Sequence, residues 1–156
     1  MNRETCQSLA ALFGRIFLSA IFLFSAFGKI TDWSSFAHQM DQKGMPAVPV
    51  LLAGALTFEL LGGLSVLLGF YGRVGAVLLI LFLIPTTLIF HNFWAAEAAQ
   101  QMNQMQHFLK NVAILGGLFV VSALGTDGFS IDRWRMRARA ARPMRGERRG
   151  EPAMVG

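Results

Sequence analysis

Six residues bring chemistry into stretches that are otherwise apolar: Arg15, Lys29, Glu59, His91, Lys110 and Asn111. Glu59 is the most constrained. It is the only acid inside four long apolar runs, and at 1.5 Å of helical rise per residue it lies about 15 Å from either end of its run. A short carboxylate at that depth cannot reach water. Charge in hydrocarbon is costly and is retained for pairing or transport, so Glu59 must be protonated, paired or turned toward a wet cavity. It is the one candidate for proton transfer, and no residue is assigned a catalytic role outright.

Arg15 lies about 10 Å into the first run, within one side-chain length of the depth of Glu59. Lys29, His91, Lys110 and Asn111 gather at the opposite ends of their runs, and antiparallel threading sets them at similar depth. Two readings follow. In one, a cationic interior around a single carboxylate receives an anionic or carbonyl-bearing ligand, with Arg15, Lys29, Glu59, His91, Lys110 and Asn111 as its binding candidates. In the other, Arg15 and Glu59 form a structural ion pair while the lysines extend to lipid headgroups.

Other chemistries lack their residues. His38, His91 and His107, with Met102 and Met105, match no metal or haem spacing, and methionine at such positions also serves as adaptable packing. The single Cys6 allows neither an internal disulfide nor a Cys-x-x-Cys pair. No glycine-rich phosphate loop and no nucleophile elbow occurs.

The elements that must position these groups follow from hydropathy. Of 156 residues, 54% are hydrophobic and 15% charged, and the charges are concentrated at the N-terminus, in short connections and in an arginine-rich tail. A bilayer core needs about 20 apolar residues per helix. Segments 9–28, 48–70, 74–94 and 108–125 meet that length, without the alternation of strands. The expected fold is all-α, a four-transmembrane-helix bundle over residues 1–132, followed by a tail over 133–156 that is disordered from about residue 139. The first run is too long for a signal peptide and lacks a good cleavage site, so it is expected to be retained.

Four crossings put both termini on one side, and Lys and Arg are enriched on the cytoplasmic side. Arg3, Arg73 and the tail arginines define that side, so both termini are expected in the cytoplasm. The tail is expected to anchor topology and touch anionic headgroups rather than bind nucleic acid. Residues 31–47 read as a short helix lying on the membrane, with Asp32 as N-cap, Trp33 and Phe36 as apolar contacts and a stop at Gly44 and Pro46. Residues 95–107 contain no breaker and are expected to prolong the third span. Gly62 and Gly63 near Glu59, and Gly116 and Gly117 in the fourth run, permit close helix packing. Pro85, with Thr86 and Thr87, should kink the third and free a carbonyl.

The order and spacing of several short motifs resemble the DoxX family of small four-helix membrane proteins. They are Arg15-Ile16, Ser25-Ala26-Phe27-Gly28-Lys29-Ile30, Gly44-Met45-Pro46, Glu59-Leu60-Leu61-Gly62-Gly63, Leu68-Gly69-Phe70-Tyr71-Gly72-Arg73, His107-Phe108-Leu109-Lys110-Asn111 and Leu115-Gly116-Gly117. The resemblance covers about residues 9–132 and implies a bacterial inner-membrane location. It also implies a link to oxidoreductase complexes, among them a thiosulfate:quinone oxidoreductase with a small subunit of this type. Three functions are consistent with these residues: a redox-linked component that holds a quinone and works with a redox partner subunit, a small weak-acid transporter, and a non-catalytic assembly partner for another membrane protein. Since the chain carries no redox cofactor motif, electron transfer would need the quinone or the partner.

Overall fold

The computed structural model describes residues 2–126 and 128–140. Among the described residues there is no strand, and six α-helices follow one another: α1 (Arg3–Thr31), α2 (Trp33–Gln42), α3 (Val48–Leu68), α4 (Gly72–Phe90), α5 (Ala98–Leu124) and α6 (Ile131–Ala140). A single 3-10 turn, Phe93–Ala95, separates α4 from α5. Helices α1, α3, α4 and α5 are each long and apolar enough to cross a membrane.

The bundle is apolar outside and keeps its buried charges inside. Phe24 is 81% exposed and Phe17 72%, whereas Arg15 is 4% exposed and Glu59 1%. In water this arrangement would expose apolar surface without compensation, but in lipid it is the favourable one, because charges find partners only within the bundle.

Helix α3 packs between α1 and α4, and α4 packs between α3 and α5. Small residues set the closeness. A Cβ added at Gly62 would lie 2.6 Å from Leu79 Cγ, one at Gly63 2.9 Å from Leu23 Cδ2, and one at Gly117 3.0 Å from Leu18 Cδ2. Gly116, expected to act like Gly117, instead faces open space. Phe22, Val66, Ala76, Leu79, Ile80, Leu83 and Leu118 fill the resulting core.

The α3–α4 connection is tight. Gly69, at φ +63°, closes α3 by turning left-handed, and Ser65 Oγ donates to the carbonyls of Phe70 (2.6 Å) and Tyr71 (3.0 Å). Asp32 caps α2 as expected, accepting from the Ser35 N–H at 3.3 Å, and Gly44 follows the helix at φ +69°.

One expectation needs correction. Residues 98–107 prolong the fourth span rather than the third, because α4 ends at Phe90 and α5 already begins at Ala98. The reversal is held by aromatic packing, with Phe93 and Trp94 meeting the Phe108 ring at 5.4 and 5.9 Å between centroids. The expected tail over 133–156 begins in α6, which runs to Ala140; the rest of it lies outside the described residues.

The glycine contacts yield a paired prediction. Gly62→Val should cost about 1–3 kcal/mol by overpacking against Leu79, whereas Gly116→Ala should be neutral or gain up to about 1 kcal/mol from helix propensity. Thermal unfolding in detergent followed by circular dichroism separates the two; equal midpoints would contradict the packing assigned to Gly62.

Candidate functional site

Helix register decides which polar groups meet. Arg15 of α1 is level with Gly69 at the end of α3, since a Cβ at Gly69 would lie 2.6 Å from Arg15 Nη1. The helices run antiparallel, so about 15 Å further along each brings Ser25 opposite Glu59 and leaves Lys29 one turn beyond. Lys29 therefore reaches back into the bundle. Its Nζ lies 3.0 Å from Glu59 Oε1 and 2.9 Å from Oε2, and it also donates to Ser25 Oγ at 2.7 Å. Only the Oε1 contact has hydrogen-bond alignment, which leaves Oε2 inside the ion pair without an aligned donor.

This pairing takes the place of the Arg15–Glu59 pair that one of the two sequence readings allowed. Arg15 sits at the arginine-rich end, where Nη1 donates to the Thr126 carbonyl at 2.9 Å and Nη2 to the Phe129 carbonyl. Its charge is used on backbone carbonyls of the segment that follows α5. Nor does Lys29 extend to headgroups, because the Glu59 carboxylate and two aromatic faces hold it. Nζ stands 5.0 Å from the Phe36 ring centroid and 5.9 Å from that of Phe82.

The remaining candidates separate into two groups. Asn111 is buried and donates from Nδ2 to Thr87 Oγ1 at 3.0 Å, while Thr87 donates to the Leu83 carbonyl at 2.7 Å. His91 Nδ1 lies 3.0 Å from Gln104 Oε1, and its ring stacks on His107 at 5.0 Å. Lys110 is exposed and lies 3.1 Å from His107 Nδ1.

Beside Lys29 opens a cavity of about 550 Å³. Its walls are mostly apolar, including Phe36, Met40, Phe58 and Phe82; Ser25, Lys29, Gln39, Thr86 and His91 supply polar atoms. Pro85 is also in the wall. It lacks the N–H that would bond the Leu81 carbonyl, and Leu81 lines the same cavity, so the break in the α4 ladder faces this space. Helix α2 forms one side through Phe36, Gln39 and Met40. Of the six candidates, Lys29 and His91 face the cavity directly. Glu59 backs Lys29, whereas Arg15, Lys110 and Asn111 lie elsewhere.

Sequence reasoning passed over Ser25, Gln39 and the two aromatics around Lys29. For Ser25 a signal existed, since four residues before Lys29 is the same helix face. For Phe36 and Phe82 there was none, because their approach depends on how α2 and α4 pack.

Four apolar crossings around a buried Lys–Glu pair and a cavity define a multi-pass membrane protein with a polar site inside the bundle. The comparisons agree. The DoxX family profile matches residues 10–92. The Escherichia coli K12 inner membrane protein YqjF is 31% identical over 127 residues, covering 81% of this chain and 92% of its own. The inner membrane protein YphA of the same organism is 29% identical over 122 residues, covering 78% and 87%. No solved structure matches the chain at a significant level. The chain belongs to the DoxX family, and it is a multi-pass protein of the bacterial inner membrane.

Two outcomes are expected from the polar contacts. Lys29→Met alone strands a buried carboxylate and should cost about 3–5 kcal/mol, most of it recovered in Lys29→Met with Glu59→Leu. Thermal unfolding of both variants measures the difference, and a single substitution as stable as the native chain would argue against a buried pair. Arg15→Ala should release the segment after α5, seen as faster chymotryptic cleavage at Phe129 under native conditions; unchanged cleavage would mean that the guanidinium does not hold that segment.

Proposed function

We propose that this protein is a ligand-binding component of a redox-linked membrane system, and that its cavity receives the head of a quinone or a similar oxygen-bearing amphiphile. The observation that carries the reading is the position of Lys29: a buried ammonium, fixed by Glu59 and Ser25, at the wall of an apolar cavity that is large enough for a ring headgroup. An ammonium has three donors. With two directed at Glu59 and Ser25, one is available for a carbonyl oxygen of the ligand.

Glu59 directly behind Lys29 makes the pair a proton relay: once Lys29 has given a proton to a reduced ligand oxygen, the carboxylate takes one up from water and passes it to the lysine. Electrons would come from a partner subunit, in keeping with the absence of a cofactor motif in the chain. The arginine-rich end faces the cytoplasm under the positive-inside rule, so the cavity opens toward the outer leaflet.

The weak-acid transporter fits less well. The core residues Phe22, Val66, Ala76 and Leu79 pack on the arginine-rich side of Lys29, across the route that a substrate would take to the other face. Nothing about the cavity favours the assembly-partner reading.

The test is equilibrium binding of a short-chain quinone to the protein in nanodiscs. Saturable binding to the native chain should weaken about tenfold or more in Lys29→Met with Glu59→Leu, the loss expected when a charged hydrogen bond is removed. Lys110→Met should bind as the native chain does, since Lys110 is outside the cavity. Absence of saturable binding, or equal weakening in Lys110→Met, would overturn the assignment.

A further inference from the structure

A second cavity, of about 570 Å³, lies at the arginine-rich end between the start of α4, the end of α5 and the side of α6. It shares no lining residue with the cavity beside Lys29. Among the described residues, Arg73, Arg135 and Arg139 line it, and Asp132 is the one acid. Three guanidinium groups against one carboxylate give these walls a net positive charge.

These side chains are held in place by the backbone around them. Asp132 N donates to the Gly69 carbonyl at 3.0 Å, and Ser130 Oγ accepts from Arg133 N at 3.2 Å, capping the start of α6. Arg15 fixes the preceding segment through the Thr126 and Phe129 carbonyls. Arg73 donates to the Leu124 carbonyl at 3.3 Å, using one of its five N–H groups. Arg135 Cζ stands 5.2 and 5.3 Å from the ring centroids of Phe70 and Tyr71, while its Nη1 is 4.0 Å from Asp132 Oδ1, too far for a good hydrogen bond. Arg139 has no acidic partner among the described residues. Among the described residues, most of the guanidinium donors in the cleft have no hydrogen-bond partner.

The surroundings place this cleft at a membrane surface. On α6, Ile131 and Trp134 share a face and are exposed, Trp134 at 70%, and Phe129 just before it is exposed as well. A tryptophan flanked by arginines on a short amphipathic helix is the composition of an element lying in the headgroup layer.

We propose that the cleft formed by Arg73, Arg135 and Arg139 is a binding site for a phosphate group. Guanidinium forks match phosphate oxygens bidentately, and cation–π contact with Phe70 and Tyr71 holds Arg135 at the cleft before binding. Tyr71 and Arg73 belong to the α3–α4 turn, so an occupied cleft ties α6 to that turn.

Two sources supply such a group at this depth, an anionic phospholipid and a soluble phosphate compound. Dihexanoyl phosphatidylglycerol and inorganic phosphate, each titrated against the full chain in a neutral detergent, distinguish them, with dihexanoyl phosphatidylcholine as the zwitterionic control; native mass spectrometry counts bound molecules. Saturable binding of phosphatidylglycerol above the control, weakened about tenfold or more in Arg135→Gln with Arg139→Gln and by added salt, supports a lipid phosphate. Binding of inorganic phosphate with the same sensitivity supports the site with a soluble ligand. Asp132→Asn removes the opposing charge and should tighten binding of whichever probe occupies the cleft. It also keeps the test decisive if the double substitution fails to fold. No saturable binding of either probe, or affinities that ignore all of these substitutions, would overturn the proposal.

Discussion

A carboxylate and an ammonium can occupy the interior of an apolar bundle only by facing each other, because in hydrocarbon neither has water to turn to. The Lys29–Glu59 pair, at 2.9 to 3.0 Å, meets this requirement, and much of the bundle is arranged around it. Gly62 and Gly63, one turn from Glu59, let α4 and α1 approach closely enough for the pair to form away from lipid. Ser25 and the rings of Phe36 and Phe82 complete the surroundings of the ammonium. A pair so enclosed adds little net stability, but its loss on one side would be severe, and this asymmetry keeps both residues in place.

The same pair gives the cavity its character. An apolar pocket alone would suit any lipid tail, whereas the fixed ammonium at this wall is the feature on which the proposed oxygen-bearing ligand rests. Pro85 contributes by breaking the α4 ladder where it faces that space. Helix α2, lying between two long spans, brings Phe36 and Met40 to the cavity, so a segment too short to cross the membrane becomes part of its wall.

At the opposite end, charge is handled differently. Arg15 and Arg73 are directed at carbonyls released by the end of α5 and the segment after it, a use of guanidinium that needs no acid. These bonds bring α6 alongside the α3–α4 turn, and the arginines of α6 then face a cleft rather than bulk solvent. The two polar regions are separated by the packed core around Leu79 and Leu118.

Composition and periodicity alone determined the all-helical class, the four crossings and the membrane location, since about 20 apolar residues in a run have few alternatives. They also marked Glu59 and Lys29 as residues that could not lie idle, and Asp32 as a cap, because these follow from depth and local geometry. Which cation meets Glu59 was not legible. Arg15 and Lys29 flank its level from opposite sides, and the choice rests on the register of α1 against α3, set by where Leu23 and Gly63, and Arg15 and Gly69, come into contact. In the same way, nothing local distinguished a long α4 from a long α5 across residues 95–107; the packing of Phe93 and Trp94 on Phe108 decided it. Cavities are the extreme case, because their walls come from helices whose relative rotation no single run of sequence encodes.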